Sequence, residues 1–298
     1  MEFTIPTPRK FNFWSTVYSH GWCALPPFRV DKESRHFRLV VPYADGGCGE
    51  VTLREEEGAL IVSLGSKHVR QEHVAEIANS VSSILRFEES LDPFYAEAKK
   101  IPRYRWVAKR GAGRMLRCPT VFEDIVKMIC TTNCSWALTE TMVNALVTKL
   151  GTRIRGEMYS FPTPSAIAVR SESFLRKEIR CGYRAPYLLE LSRRIVNGSL
   201  DVERWRHSEE STEILFEQLR SVKGVGEYAA GNILKLLGRY DYLGLDSWSR
   251  GKFYERYKNG RKVKDATIEK HYAPLGKWKG LFLWMDVTKD WYMNDFPF

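Results

Sequence analysis

The hydrophobic pattern changes character about a third of the way along the chain. Residues 36–42, 50–54 and 60–64 are short β-prone runs, and the Ala44-Asp-Gly-Gly and Glu57-Gly58 steps between them are turn chemistry. They predict an antiparallel meander. Val74, Ile77, Ala78, Val81, Ile84 and Leu85 then recur at helical spacing, which predicts one amphipathic helix laid on that sheet. From Pro119 onward nearly every apolar pattern has the helical period. Phe122, Ile125, Val126 and Ile129 form the apolar face of a helix opened by Pro119, and Ser135 caps a second that Gly151 ends. Further helices are predicted over 186–196, 212–219, 227–237, 247–257 and 275–289. The expected fold class is α+β: an N-terminal antiparallel-sheet domain over 1–95, packed on a mostly helical domain over 96–298.

Composition narrows the partners. With 298 residues, 44% hydrophobic and 28% charged, the chain has enough apolar material for a real core, which excludes disorder as its main state. Forty-six Lys and Arg against 36 Asp and Glu give a net charge of +10, so a polyanion is the first partner to consider. Nucleic acid leads. An anionic membrane surface is weaker, because no strongly basic amphipathic helix stands out. No apolar run approaches the roughly 20 residues that span a bilayer, and residues 1–10 lack an apolar signal core, so a soluble intracellular chain is expected. The six cysteines are scattered and are expected as reduced thiols. Cys130 and Cys134 have the i,i+4 spacing of a metal clip, but no cysteine follows Cys181 and no His-rich segment accompanies them.

One segment carries most of the chemistry. A helix ends at Leu219, a tight turn passes through Gly224-Val225-Gly226, and a new helix starts at once, with small Ala229 and Ala230 allowing close packing. Two glycines at that spacing permit a sharp turn and expose N–H groups at a helix N-terminus, a ready phosphate site, beside which Lys223 adds a cation. Taken alone, Gly-x-Gly is equally a plain helix-to-helix turn. Asp246 follows 20 residues after Gly226, between a loop and the next helix, where an aspartate is commonly an N-cap and nothing more.

The hairpin and the aspartate together resemble the helix-hairpin-helix (HhH-GPD) superfamily of DNA glycosylases. Within it the chain looks closest to the 8-oxoguanine and 3-methyladenine branch, which carries an N-terminal TBP-like sheet domain. The segment from Arg117 to Asn133 is similar to that family's Pro-initiated helix and polar turn. Gly182-Tyr-Arg-Ala-Pro-Tyr187 looks like its Gly-Tyr-Arg-Ala-Arg-Tyr segment, and residues 279–286 resemble the C-terminal helix that walls the base pocket. The resemblance implies an enzyme that flips a damaged base out of double-stranded DNA, as a monomer, in the nucleoid of a bacterium or the nucleus of a eukaryote.

It also implies roles. Tyr183 would be the wedge in the duplex, with Asn133 and Arg184 bonding the base left without its partner. A ring to stack and a guanidinium to make forked hydrogen bonds suit that task. Asp246 would stabilise the oxocarbenium-like state as the N-glycosidic bond breaks and orient the attacking water. Bifunctional members place a Schiff-base lysine where this chain has Tyr228, which implies hydrolysis by water without strand cleavage; Lys223 and Lys235 are near in sequence but stand elsewhere. Trp248, Trp278 and Trp284 fall where an aromatic pocket could stack an alkylated purine, although core packing accounts for tryptophans as well. The segment 13–28 lies where the family supplies a pocket-edge segment but departs from its sequence, so that His20 and Trp22 would reflect either a different damaged base or merely a capping turn. The hairpin has Lys223 where Pro is usual, and Leu138 replaces an arginine that reads the opposite cytosine. The carbonyls of Arg220, Val222 and Val225 would hold a monovalent cation, K+ or Na+. No other cofactor is implied, and the family's optional four-cysteine cluster is absent. Two other readings stay open: an 8-oxoguanine glycosylase with or without lyase activity, and a non-catalytic protein that binds distorted DNA. Against the last, phosphate binding gives no reason for an acid at a helix start facing a polyanion.

Overall fold

The computed structural model describes residues 1–56, 58–65, 70–294 and 296. Five strands form one antiparallel sheet: β1 (Glu2–Pro6), β2 (Arg29–Asp31), β3 (His36–Pro42), β4 (Cys48–Glu56) and β5 (Ala59–Leu64), in the order β1-β5-β4-β3-β2. The three expected strands are β3, β4 and β5; Glu57 of the expected turn lies outside the described residues. Both missed strands are edges. β2 has only 3 residues, too few to show an alternation, and β1 is 5 residues long and ends in Pro6. In the centre the alternation is plain: Phe37, Leu39 and Val41, Val51 and Leu53, and Leu60 and Val62 are fully buried on one face. The Gln71–Ile84 helix presents Ile77, Val81 and Ile84 to the core, the face that the sequence pattern marked.

The helical part follows its local signals closely. Thr120 caps Val121–Thr131 through its side chain, one residue inside the expected Pro119 start, and Ser135 caps Trp136–Leu150, which stops at Gly151. Ala185–Val196, Thr212–Arg220, Glu227–Leu236 and Ser247–Lys258 lie within two residues of expectation. The last helix is shorter at its start than the sequence pattern implied. Gly276, at φ +56, breaks residues 275–289 into a 3-10 stretch and a regular helix, Lys279–Met293.

The N-terminal boundary at residue 95 does not divide the contacts cleanly. Between β1 and β2 the chain leaves the sheet and packs on the helices: the Trp284 indole donates to the Ser19 carbonyl (2.8 Å), and the Trp22 indole to Asp124 Oδ1 (2.8 Å). His20 is buried, and burial pushes its imidazole down to about 4. As a neutral ring its Nε2–H donates to the Leu116 carbonyl (2.6 Å), while Nδ1 accepts the Trp22 amide (3.4 Å). His20 and Trp22 therefore hold this segment in place as a capping turn, the blander of the two expectations.

Behind the C-terminal helices sits a single carboxylate that ties four segments together. Asp286 Oδ2 accepts the hydroxyls of Tyr104 (2.6 Å), Tyr257 (2.7 Å) and Tyr272 (2.8 Å). Burial, then the charge of Asp286, raises all three phenols far above their ordinary value, so they serve as permanent donors. Arg256 donates to the Asp286 carbonyl. Removing the carboxylate leaves three inward phenols unpaired. Asp286→Ala is expected to lower the unfolding free energy by about 3 kcal/mol or more in urea titration, and Asp286→Asn by less, since its amide oxygen still accepts.

Among the described residues no helix is long and apolar enough to cross a membrane, all six cysteines are free thiols, and no His/Cys/Asp/Glu group is arranged to hold a metal. Cys134 Sγ donates to the Cys130 carbonyl (3.1 Å).

Candidate active site and nucleic-acid interface

The hairpin forms as expected, between the Thr212–Arg220 and Glu227–Leu236 helices. Val222 and Val225 are buried anchors, and the Val225 amide closes the turn on the Val222 carbonyl (2.9 Å). The two glycines differ in what they are for. Gly224 has φ +90, and a Cβ there would come within 2.5 Å of the Tyr187 ring. Gly226 is extended, with open space around it, and as N-cap it offers no side chain to the first amides of the second helix. No cap side chain occupies those amides, as a phosphate site requires. Lys223 is more than half exposed and pairs with Glu190 (3.5 Å). The Val222 carbonyl keeps its second lone pair, so with Arg220 and Val225 the turn retains a chemically suitable set of oxygens for a monovalent cation.

Three separate segments meet at the Thr131–Asn133 turn. The Tyr183 hydroxyl donates to the Thr132 carbonyl (3.2 Å), and Tyr183 packs edge-on to Tyr187 at 6.0 Å, the ring that also abuts Gly224. Thr131 Oγ1 lies 3.5 Å from the Tyr228 hydroxyl on the hairpin's second helix. Tyr183, Asn133 and the hairpin thus share one ridge, with Tyr183 43% exposed and Asn133 exposed in the left-handed region at φ +47. Arg184 is placed differently from expectation. It is buried, its Nη2 donates to the Thr132 carbonyl and its Nε to Thr132 Oγ1 (3.4 Å), and its guanidinium lies 4.5 Å from the Tyr183 ring. It fastens the turn and the ring rather than facing outward to read a base. Leu138, half-buried, sits in the first turn of the following helix.

Asp246 is an N-cap, but not only that. Its Oδ1 accepts the Ser249 amide (2.7 Å) while its own amide donates to Ser249 Oγ (2.9 Å), a capping box that fixes the carboxylate's direction. Asp246 is half-buried and close enough for its charge to act on Tyr228, Lys235 and Arg250. Burial lifts the Tyr228 phenol to about 12, so this position carries a neutral hydroxyl. Ser249 was missed, although Asp-x-x-Ser before a helix is a legible box.

An aromatic cluster forms around Trp248, two residues after Asp246. Trp248 stacks on Trp291 (5.5 Å), and both contact Trp284 (5.9 Å each). Trp291 was overlooked, although it stands 7 residues after Trp284, on the same helix face. Trp278 does not join them. It packs against Phe94 (5.4 Å) and Tyr240 (5.5 Å), a core contact behind the loop that leads to Asp246.

Beneath that loop lies a lysine the sequence pattern placed on a helix without a role. Lys235 is fully buried, and burial pulls its amine down to about 7 against a partly offsetting pull from Asp246. The Leu243 carbonyl (2.6 Å) and Asn232 Oδ1 (3.1 Å) accept from it.

Two measurements check this geometry. Gly224→Ala, strained at positive φ and pressed on Tyr187, is expected to lose about 1–2 kcal/mol of stability, whereas Gly226→Ala changes it by less than about 0.5 kcal/mol. For Lys235 the folded value lies below the unfolded 10.5, so between about pH 7 and 10.5 the unfolded chain binds more protons. Stability therefore rises with pH across that window, by roughly 1 kcal/mol per unit, and the rise is absent from Lys235→Met in chemical unfolding at stepped pH.

No family model matches the chain. It is 34% identical over 80 residues to an N-glycosylase/DNA lyase of Saccharomyces cerevisiae, a stretch covering 26% of this chain and only 21% of that relative. Solved structures align over nearly its whole length. A 3-methyladenine DNA glycosylase from Archaeoglobus fulgidus superposes with a TM-score of 0.79, 20% identity, and coverage of 98% of this chain and 99% of that one. An 8-oxoguanine glycosylase/lyase from Clostridium acetobutylicum, without DNA, gives 0.75 at 18% identity, covering 96% and 95%. MBOgg1 in complex with a low-affinity DNA ligand gives 0.76 at 20% identity, covering 97% and 96%. The chain has the two-part fold of the helix-hairpin-helix DNA glycosylases.

Proposed function

We propose that this chain is a monofunctional DNA glycosylase that extrudes a damaged purine from duplex DNA and hydrolyses its N-glycosidic bond. The observation that carries the reading is Asp246: a carboxylate locked by a capping box, beside the hairpin, within electrostatic reach of a neutral tyrosine where a lyase would need an amine. The aligned glycosylase fold and the short stretch shared with the yeast enzyme support the glycosylase part of this reading.

The residues divide the work as follows. The amides after Gly226 and the Lys223 ammonium grip the phosphate backbone, a sequence-independent contact that weakens steeply with salt. The Arg220, Val222 and Val225 carbonyls would hold a monovalent cation whose charge would draw a phosphate to the same turn. Tyr183 fills the gap left by the extruded nucleotide, and Asn133 bonds the base left behind. Arg184 keeps both in position by holding Thr132. The extruded base stacks on the Trp248, Trp284 and Trp291 cluster, a surface suited to an electron-poor alkylated purine. As the bond to the sugar breaks, Asp246 faces the developing positive charge and orients water for attack. Tyrosine forms no imine, so the product is an abasic site rather than a broken strand.

A second reading, excision of 8-oxoguanine with strand cleavage, draws on the glycosylase/lyase relatives. A panel of duplexes, each with one lesion (3-methyladenine, 7-methylguanine, ethenoadenine, hypoxanthine, 8-oxoguanine or uracil), separates the two. Strand breaks that need alkali, on alkylpurine duplexes and without a borohydride-trapped adduct, are expected. Alkali-independent breaks with a trapped adduct would establish the second reading, and tight binding without any excision would leave only a DNA-binding protein. Asp246→Asn is expected to keep duplex affinity and lose about a hundredfold or more in single-turnover rate.

A further inference from the structure

The loop that delivers Asp246 is tied to the hairpin by two side chains, buried Lys235 and half-buried Asn232, that the proposed reaction does not use. Lys235 Nζ donates to the Leu243 carbonyl (2.6 Å), and Asn232 Nδ2 donates to the next carbonyl, Gly244 (3.0 Å), and to that of Tyr228 (2.8 Å). Lys235 Nζ also donates to Asn232 Oδ1 (3.1 Å), which joins the two into one unit. Packing around them is tight. A Cβ on Gly244, at φ +61, would fall 2.8 Å from Asn232 Nδ2 and 2.9 Å from Lys235 Nζ, and one on Gly231 would fall 2.8 Å from the Gly244 Cα. Arg86 anchors the same helix end from the other side by donating to the Lys235 carbonyl (2.8 Å).

Packing alone does not call for an amine here. Leucine or methionine would fill the volume without taking a polar group out of water, which is costly unless each bond it makes is needed. What the lysine adds is a fixed distance between the hairpin and the two backbone carbonyls that lie just ahead of Leu245 and Asp246.

We propose that Lys235, together with Asn232, positions the catalytic carboxylate: it fixes the Leu243–Gly244 backbone on the hairpin helix, so that Asp246 and the DNA-gripping turn move as one body. Binding DNA at Gly224–Gly226 then sets the carboxylate against the sugar, with no separate adjustment of the loop. Lys235 touches neither sugar nor base, and its buried amine is no substitute for the lysine that Tyr228 replaces. The role rests on Asp246 being the catalytic carboxylate.

The test compares wild type, Lys235→Met and Lys235→Gln on the duplex that the wild type cleaves. Lys235→Met is expected to lower the single-turnover rate about 30-fold or more, with duplex Kd within twofold and no fall in unfolding midpoint. Lys235→Gln, which restores a donor toward Leu243, is expected to recover at least tenfold of that loss. A Met variant that cleaves within threefold of wild type overturns the assignment. Amide hydrogen exchange without DNA gives an answer independent of activity: residues 243–247 should exchange at least tenfold faster in Lys235→Met, while the 219–230 hairpin is unchanged. Equal exchange overturns the positioning role whatever the rates. If wild type cleaves no lesion, the glycosylase reading fails while exchange still decides whether Lys235 holds the loop. Should Lys235→Met not fold, Lys235→Gln against Asn232→Ala carries both measurements.

Discussion

The site depends on one close approach of backbones. The loop from residue 240 to 246 is squeezed between the hairpin's second helix and the C-terminal helix, and at both contacts only a glycine fits. A Cβ on Gly231 would strike the Gly244 backbone, and one on Gly280 would lie 2.2 Å from the Tyr242 carbonyl. With no side chain between them, the helices reach the loop's polar backbone directly: the Gly280 amide donates to the Tyr240 carbonyl (2.8 Å), and Lys235 and Asn232 reach the next carbonyls. A loop held by backbone contacts of this kind has few alternative positions, which preorganised electrostatics requires. Asp286 secures the other end of the assembly, because its three phenols bind the Ser247–Lys258 helix to the segments behind it.

The ridge on the opposite side of the hairpin follows a different logic. Its common point is a carbonyl, that of Thr132, on which Tyr183 and Arg184 converge. A buried guanidinium there is a strong donor to a turn that would otherwise expose its polar groups inward. It leaves Asn133 in a left-handed conformation that asparagine tolerates better than most residues, projecting from the turn. Tyr187 links this ridge to the hairpin by filling the space that Gly224 vacates. Tyr183, the Thr131–Asn133 turn and the hairpin turn are therefore joined through packing.

The elements were legible where a local signal fixes them. Ser135, Gly151, Asn197-Gly198 and the Gly-x-Gly turn marked helix ends to within a residue or two, because caps and positive-φ turns depend on the residues themselves. Edge strands and the short helices over 92–100 and 265–272 carried too few periods to stand out. In the site, Asp246 and Tyr228 were singled out by the resemblance, which hairpin and aspartate carry within one stretch of chain. The settings of Arg184 and Trp278 could not be read. Whether an arginine faces solvent or folds back on a carbonyl 52 positions away, or a tryptophan faces a pocket or a core, is set by tertiary neighbours that no local pattern contains. Lys235 shows the same limit in reverse: a charged residue inside a helix suggests a solvated face, and only the fold reveals that its partner carbonyls come from the following loop.

Tyr228 and Lys235 stand on one helix in different settings. In the first turn of the helix, within electrostatic reach of Asp246, stands a phenol that burial keeps neutral and that cannot form an imine. Two turns farther along stands an amine with a value near 7, the sort of nucleophile a lyase would use, but it is sealed under the loop with both acceptors engaged. The chain thus keeps a buried amine within the electrostatic reach of the Asp246 carboxylate. The same enclosure that withholds the amine also gives its hydrogen bonds a water-free setting, where they hold a loop more firmly than they would at the surface.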